Sequence, residues 1–197
     1  MISNITFELL NKYYNINKKS VLEISKKLKC SQGRVNYWLD RYRIEKRSIS
    51  EAIYIKNNPK GDPFKFTSPK NIEEAKLFGL GLGLYWGEGN KANKNTVRIG
   101  NSDPALLRRF IEFLEKFFKI NKTDLKFHLH IFTDIDLNEA KSFWIRELRI
   151  KESQMYKPTI TKSGSLGTYR NKSKYGVLTI YYGNTKLRDT IIRMLPL

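Results

Sequence analysis

Residues 77–91 read LFGLGLGLYWGEGNK, and the fold of this chain turns on how they are understood. Glycine in a helix interior costs about 1 kcal/mol relative to alanine. This stretch nevertheless carries five glycines among apolar residues, with one carboxylate, Glu88, held between Gly87 and Gly89. Gly79, Gly83 and Gly87 recur at four-residue spacing. That places all three on one helical face, where missing side chains let another backbone come close. The reading is a helix that ends at Gly89 and holds Glu88 beside a close contact.

Outward from this helix the pattern is mixed. Upstream, Ser68–Pro69 followed by Glu73 and Glu74 reads as its start, a cap and then acids in the first turn. Downstream, Thr96–Gly100 alternates as a short strand, and Pro104–Lys119 is an amphipathic helix that opens on proline. Leu125–Thr133 alternates as a strand and Leu137–Leu148 has helical periodicity. Tyr156–Thr161 and Tyr175–Tyr182 read as strands, the latter rich in β-branched and aromatic residues. Thr185–Met194 closes as a helix. The order predicts an α+β domain over residues 70–197, with helices on one face of a mostly antiparallel sheet.

At this point the sequence resembles a family. Gly83–Gly89, GLYWGEG, is similar to the LAGLIDADG motif of homing endonucleases, with its final Asp-Gly written as Glu88-Gly89. The strand VRIGNSD, the amphipathic helix after it, and the strand LTIYYGN leading into TKLRDTIIRML resemble that family's order. An insertion falls around residues 124–163. The resemblance implies two motif helices packed across a twofold axis, so a chain with one motif forms a homodimer, with Gly79, Gly83 and Gly87 on the dimer helix. It implies Glu88 as ligand of Mg²⁺ or Mn²⁺ over the scissile phosphates, and Asn101 as the amide near the metal and its water. Asp103 is a second acid that could join Glu88, or simply open the following helix. The basic residue near the site stays open among Lys157, Arg170, Lys172 and Lys174. With Lys91 and Arg98, these are the cations expected to contact DNA in this domain. Two features depart from the family. Only Asn90–Asn95 separates Gly89 from the next strand, which truncates the usual DNA-reading hairpin. The acid is Glu in place of Asp, and Trp86 replaces the acid before it.

The amino-terminal sixty residues form a different region. Val21, Ile24 and Leu28 lie on one helical face; Val35, Trp38, Leu39 and Tyr42 lie on another. A break at Lys29–Ser31 separates them, with Ser31 suited to cap the second helix. Phe7–Tyr14 supplies a preceding helix. EISKKLKCSQGRVNYWL resembles the helix-turn-helix of site-specific recombinases, transposases and sigma factors. The resemblance makes Ser31–Arg43 a recognition helix that presents Gln32, Arg34, Asn36, Tyr37 and Arg41, with Arg and Asn/Gln the side chains that read guanine and adenine edges in the major groove. A basic three-helix bundle with a solvated face is the alternative. This domain is expected over residues 1–56, with residues 57–69 a linker that lies along a surface as a strap.

Composition agrees with a polyanionic partner. Lys and Arg number 37 against 19 Asp and Glu, a net charge of +18 and pI near 9.9. Double-stranded DNA is the expected partner, although an AT-rich genome would also inflate lysine. The single cysteine, Cys30, rules out an internal disulfide and a four-cysteine zinc site. The start has no secretory signature and the longest apolar run is too short for a bilayer, so the expected setting is cytoplasmic and nucleoid-associated, with no membrane partner. No phosphate-binding or dinucleotide glycine signature is complete, so no small-molecule cofactor is expected. The only histidines, His128 and His130, share one side of a strand. They are a metal or phosphate pair, or ordinary hydrogen-bonded strand residues. Asp134 and Asp136 suit the start of the Leu137 helix. Three functions follow: a metal-dependent endonuclease, a DNA-binding regulator that no longer cuts, and an RNA-binding or splicing-assistant protein.

Overall fold

In the computed structural model of the chain, which describes residues 5–164 and 173–196, the amino-terminal helices are set by their caps. Helix α1 (Phe7–Asn11) runs into one π-helical turn, Lys12–Ile16. Helix α2 (Val21–Leu28) starts on a reciprocal capping box: Ser20 N donates to Glu23 at 2.7 Å, and Glu23 N donates to Ser20 Oγ at 3.2 Å. Lys29 turns the chain at φ 52, and Ser31 then caps α3 (Gln32–Arg41) by accepting from Arg34 N at 3.2 Å. Ile5, Leu10, Tyr14, Ile24, Val35, Leu39 and Ile44 make one buried core. Ser25 is buried there too, its hydroxyl donating to the Leu22 carbonyl at 2.9 Å. A fourth helix, α4 (Ile49–Asn57), runs through a stretch the sequence reading left without an element. Its signal was Ser48, which caps it by accepting from Glu51 N at 3.2 Å.

The chain divides into two units, Met1–Pro63 and Phe64–Leu197. The second unit begins with a strap. Lys65 N donates to Phe118 O at 3.0 Å and Thr67 N to Phe117 O at 2.8 Å, so the strap satisfies carbonyls at the carboxyl end of α6 (Pro104–Phe118). Helix α5 spans Ile72–Glu88. Its cap is Asn71, which accepts from Glu74 N at 2.9 Å, and not the expected Ser68–Pro69. Lys70 N and Lys116 Nζ both reach the Glu74 carboxylate, which ties the start of α5 to the end of α6 and holds that carboxyl below its usual range, the Lys116 contact first.

Strands β1 (Val97–Asn101), β2 (Lys126–Phe132), β3 (Thr159–Thr161) and β4 (Val177–Tyr182) form one sheet in the order β1-β4-β2-β3. Helix α7 (Leu137–Leu148) lies between β2 and β3 in the chain, and α8 (Thr185–Arg193) follows β4. Strand β4 pairs antiparallel with both β1 and β2, Ile180 lying opposite Ile99 and Phe127. The β2–β3 pair is parallel, as a crossover through a helix requires. Strand β3 is shorter than the alternation predicted: Met155 and Tyr156 touch the sheet at Phe127, but Pro158 lacks a donor and interrupts the ladder. Val97, Ile99, Phe127, Leu129, Ile131, Leu178, Ile180 and Tyr182 face inward, where Tyr85, Phe110, Phe113, Phe117, Trp144 and Leu187 of the helices complete the core. Alternation therefore sends Arg98, His128, His130, Thr179 and Tyr181 to the other face. The architecture is α+β.

Candidate functional site

The glycines of α5 divide into two sets. Gly81 is buried against α6, and a Cβ there would lie 2.2 Å from the Phe113 ring. One turn on, Tyr85 stacks on Phe110 with ring centroids 5.9 Å apart. Gly79, Gly83 and Gly87 face the other way, and a Cβ on any of them would meet nothing within 4 Å. Leu80 (45% exposed) and Trp86 (49%) share this bare surface. The close approach made within the chain thus falls on Gly81, which the four-residue spacing did not single out.

At its carboxyl end α5 is fastened to β1. Gly89 bridges Ile99, Asn90 N donates to Arg98 O at 2.8 Å, and the Tyr85 hydroxyl donates to Asn90 O at 3.3 Å. Burial, opposed by the nearby Arg188, pushes the Tyr85 phenol up. Lys91 Nζ donates to Trp86 O at 2.5 Å, a cation on an orphan carbonyl of the last turn. The Lys91 carbonyl in turn accepts from the Arg188 guanidinium of α8. Glu88 stays exposed at this anchored end. Asn101, two residues past the bridge, accepts from Asp103 N at 2.9 Å, and Asp103 caps α6 by accepting from Ala105 N at 2.7 Å. Asn101 and Asp103 therefore build the turn after β1. Asp136 caps α7 in the same way, accepting from Glu139 N at 2.7 Å.

The outward face of the sheet holds the histidines. His128 Nε2 pairs with Thr159 Oγ1 at 3.0 Å and His130 Nε2 with Thr161 Oγ1 at 2.8 Å, so each imidazole spans β2 to β3. Burial, then the neighbouring His130 and Arg98, lowers the His128 pKa from its ordinary value. Among the described residues no three His, Cys, Asp or Glu side chains converge as a metal cluster. Arg98 lies over the Tyr181 ring, 4.9 Å from its centroid. Lys157 is exposed beside β3. Lys174 sits elsewhere, 4.0 Å from Glu139 of α7 and 5.0 Å from the Tyr175 ring centroid, with its pKa raised chiefly by a hydrogen bond to Tyr175. Arg170 and Lys172 lie outside the described residues.

In the first unit Gln32, Tyr37 and Arg41 are exposed on α3, while Arg34 and Asn36 are half-buried. Tyr37 rests edge-on against Trp38 at 5.4 Å, and Trp38 stacks on Tyr42 at 5.2 Å. Sequence reasoning passed over Arg47. Its guanidinium donates to the carbonyls of Tyr14, Lys18 (3.1 Å) and Lys19 (3.0 Å), and it covers the Tyr14 ring at 3.9 Å. It also passed over Tyr156 and Tyr181, whose signal was phase: Tyr181 falls between inward-facing Ile180 and Tyr182. No helix of the described residues is long and apolar enough to cross a membrane. No family model, curated protein or solved structure matches the chain.

Proposed function

We propose that this chain binds double-stranded DNA as a homodimer and hydrolyses its phosphodiester bonds with a divalent metal, in the manner of the LAGLIDADG endonucleases it resembles. The observation that carries the reading is the bare face of α5. Gly79, Gly83 and Gly87 stand open together with Leu80 and Trp86, and the helix ends on an exposed acid anchored to β1. A second copy packed on that face along a twofold axis brings two Glu88 carboxylates together, where their repulsion calls for a cation or a proton. The donors fit Mg²⁺ or Mn²⁺, since Mg²⁺ takes one or two carboxylates and completes its shell with water and substrate phosphate. Glu88 of each copy would hold the ion, which when bound polarises the phosphate and its water. Asn101, two residues beyond Ile99 of the Gly89–Ile99 bridge, is the amide this reading takes as the partner of the metal-bound water. In this reading α3 resembles the recognition helix of a helix-turn-helix, Gln32, Arg34, Asn36, Tyr37 and Arg41 reading the duplex, with Lys91, Arg98, Lys157 and Lys174 adding positive charge.

One observation favours a second reading, a DNA-binding regulator that does not cut. Trp86, exposed on α5, stands where the motif that the sequence resembles carries its first acid, and Glu88 stands in place of its final Asp. Nicking of supercoiled plasmid with Mg²⁺ or Mn²⁺, compared between wild type and Glu88→Gln, separates the two. The nuclease reading expects metal-dependent nicking, abolished by chelator and by Glu88→Gln, with binding retained. Nicking that Glu88→Gln leaves intact removes Glu88 from the chemistry. Specific, chelator-insensitive binding that Arg34→Ala abolishes, with no nicking, establishes the regulator.

A further inference from the structure

Helix α4 has no place in a core. None of its nine residues is buried, and none belongs to the cluster that unites α1, α2 and α3. A helix of nine residues is too short to sustain itself in water, where most helical stability comes from packing an apolar face. Ile49 (82% exposed) and Ile53 (54%) stand about one turn apart on α4 with Ala52 beside them. They line a groove of about 850 Å³ within the first unit, and Val21 and Leu22 at the start of α2 line its other wall, Leu22 being 47% exposed. The base of the groove is fixed, because Arg47 lines it with its guanidinium held on the carbonyls of Tyr14, Lys18 and Lys19.

The rim of this groove is cationic. Lys18, Lys19, Lys46, Arg47 and Lys56 line it against one acid, Glu23, whose carboxylate is occupied by Ser20 N and Oγ, both at 2.7 Å. Lys46 pairs with Asp40 at 2.7 Å, whereas Lys18, Lys19 and Lys56 form no ion pair among the described residues. Each candidate occupant is judged by what it would leave unmatched. A phosphate backbone would use the lysines and leave the isoleucines in water. A small molecule needs a site that encloses most of its surface, and here Ile49 and Ile53 stand on an open ridge. A second copy would set like charges face to face, since residues 1–60 carry 13 Lys and Arg against 5 Asp and Glu. An amphipathic helix with acidic flanks matches both features, its apolar residues at i, i+3, i+4 and i+7 filling the groove and its carboxylates meeting the lysines. We propose that the groove between α2 and α4 docks an acidic amphipathic helix of another protein. No residue of α3 lines it, so the docking surface is separate from the helix read as recognising duplex DNA, and it does not depend on Glu88.

The test uses the full chain and a labelled synthetic peptide with leucines at i, i+3, i+4 and i+7 and glutamates on its flanks, followed by fluorescence anisotropy beside a scramble of the same composition. The amphipathic peptide is expected to bind saturably and the scramble far more weakly. The double variant Ile49→Ala/Ile53→Ala should weaken binding about tenfold, the loss of two apolar anchors. Alanine is the better helix former, so an unfolded α4 does not account for that loss. Lys18→Glu/Lys56→Glu should slow association and flatten its salt dependence. No saturable binding, equal binding of the scramble, or unaltered binding in the isoleucine pair overturns the groove as a docking site. An equal loss of duplex DNA affinity in that pair gives the groove to DNA and overturns the proposal as well. A measurement on the unmutated protein runs beside these: amide hydrogen exchange with the peptide bound should slow in α2 and α4. Slowing confined to α3 would defeat the proposal and leave the duplex reading in place.

Discussion

Arg47 shows how much one side chain organises the small first unit. Helix ends leave carbonyls without partners, and the guanidinium gathers those of Tyr14, Lys18 and Lys19 while its plane covers the Tyr14 ring. The Tyr14 hydroxyl also accepts from Arg47 N at 2.9 Å, so the chain after α3 is bound back to the turn after α1. A planar five-donor group suits this set of acceptors in a way an ammonium does not. Arg47→Ala should lower the stability of the first unit by about 2 kcal/mol, the order of a charge-assisted hydrogen bond plus a cation–π contact. Arg47→Lys should recover only part of it. Urea unfolding followed at Trp38 measures both; a change below about 0.5 kcal/mol for the alanine variant would show that the clamp is not needed. Nothing in KRSIS announces this role. The Ser31 cap was legible because its partner Arg34 lies three residues away, whereas the carbonyls under Arg47 are roughly thirty residues away and meet it only in the folded unit.

At the scale of the element, α5 carries opposite demands on its two sides. Alanine at position 81 drives a Cβ into the Phe113 ring, and overpacking of that kind costs about 1–3 kcal/mol. Positions 79 and 83 have open space, so within one chain alanine there should be neutral or stabilising by up to about 1 kcal/mol. The bulk of leucine at position 83 should act only between copies. Gly81→Ala is expected to lower Tm; Gly83→Leu is expected to leave the chain folded, with Tm lowered only by the loss of association, while light scattering reads a monomer. A Gly83→Leu protein that remains dimeric would remove α5 from the interface. The alternation of β1 and β2 and the β-branched, aromatic content of β4 marked these strands before the fold was known, and with the helical stretches between them the α+β class. The glycine pattern was less complete, because period four selects Gly79, Gly83 and Gly87 and leaves out Gly81, which lies against α6. The start of the helix was misread for a similar reason. Ser68–Pro69 has the composition of a cap, but Asn71 has the spacing to Glu74 that makes one.

For the molecule as a whole, charge and division into units set the behaviour. A net charge of +18 on 197 residues makes any nucleic-acid complex steeply salt-dependent. Each unit has its own core, and the backbone between α4 and the strap is exposed, with Gly61 at φ 98. Trypsin at low dose should therefore cut first after Lys60, ahead of lysines in helices or strands, and leave two folded fragments separable by size. Early cutting within α5 or α6 would contradict the independence of the second core. The sequence reading treated residues 57–69 as one strap. Phe64–Thr67 is bonded to α6, because Phe64 and Phe66 find Phe118 at centroid distances of 6.5 and 5.5 Å, partners invisible to a local reading.

The short third strand has a further consequence for self-association. An open sheet invites strand-to-strand addition at its margins, the usual route to indiscriminate aggregation. Here β1's margin is occupied where Gly89 and Asn90 bond to it, and β3 offers only three residues, preceded by Lys157-Pro158 and followed by Lys162. Both margins resist growth by backbone pairing. A chain so guarded along its sheet channels encounters between copies toward side-chain surfaces, among them the bare glycine flank of α5 with Leu80 and Trp86.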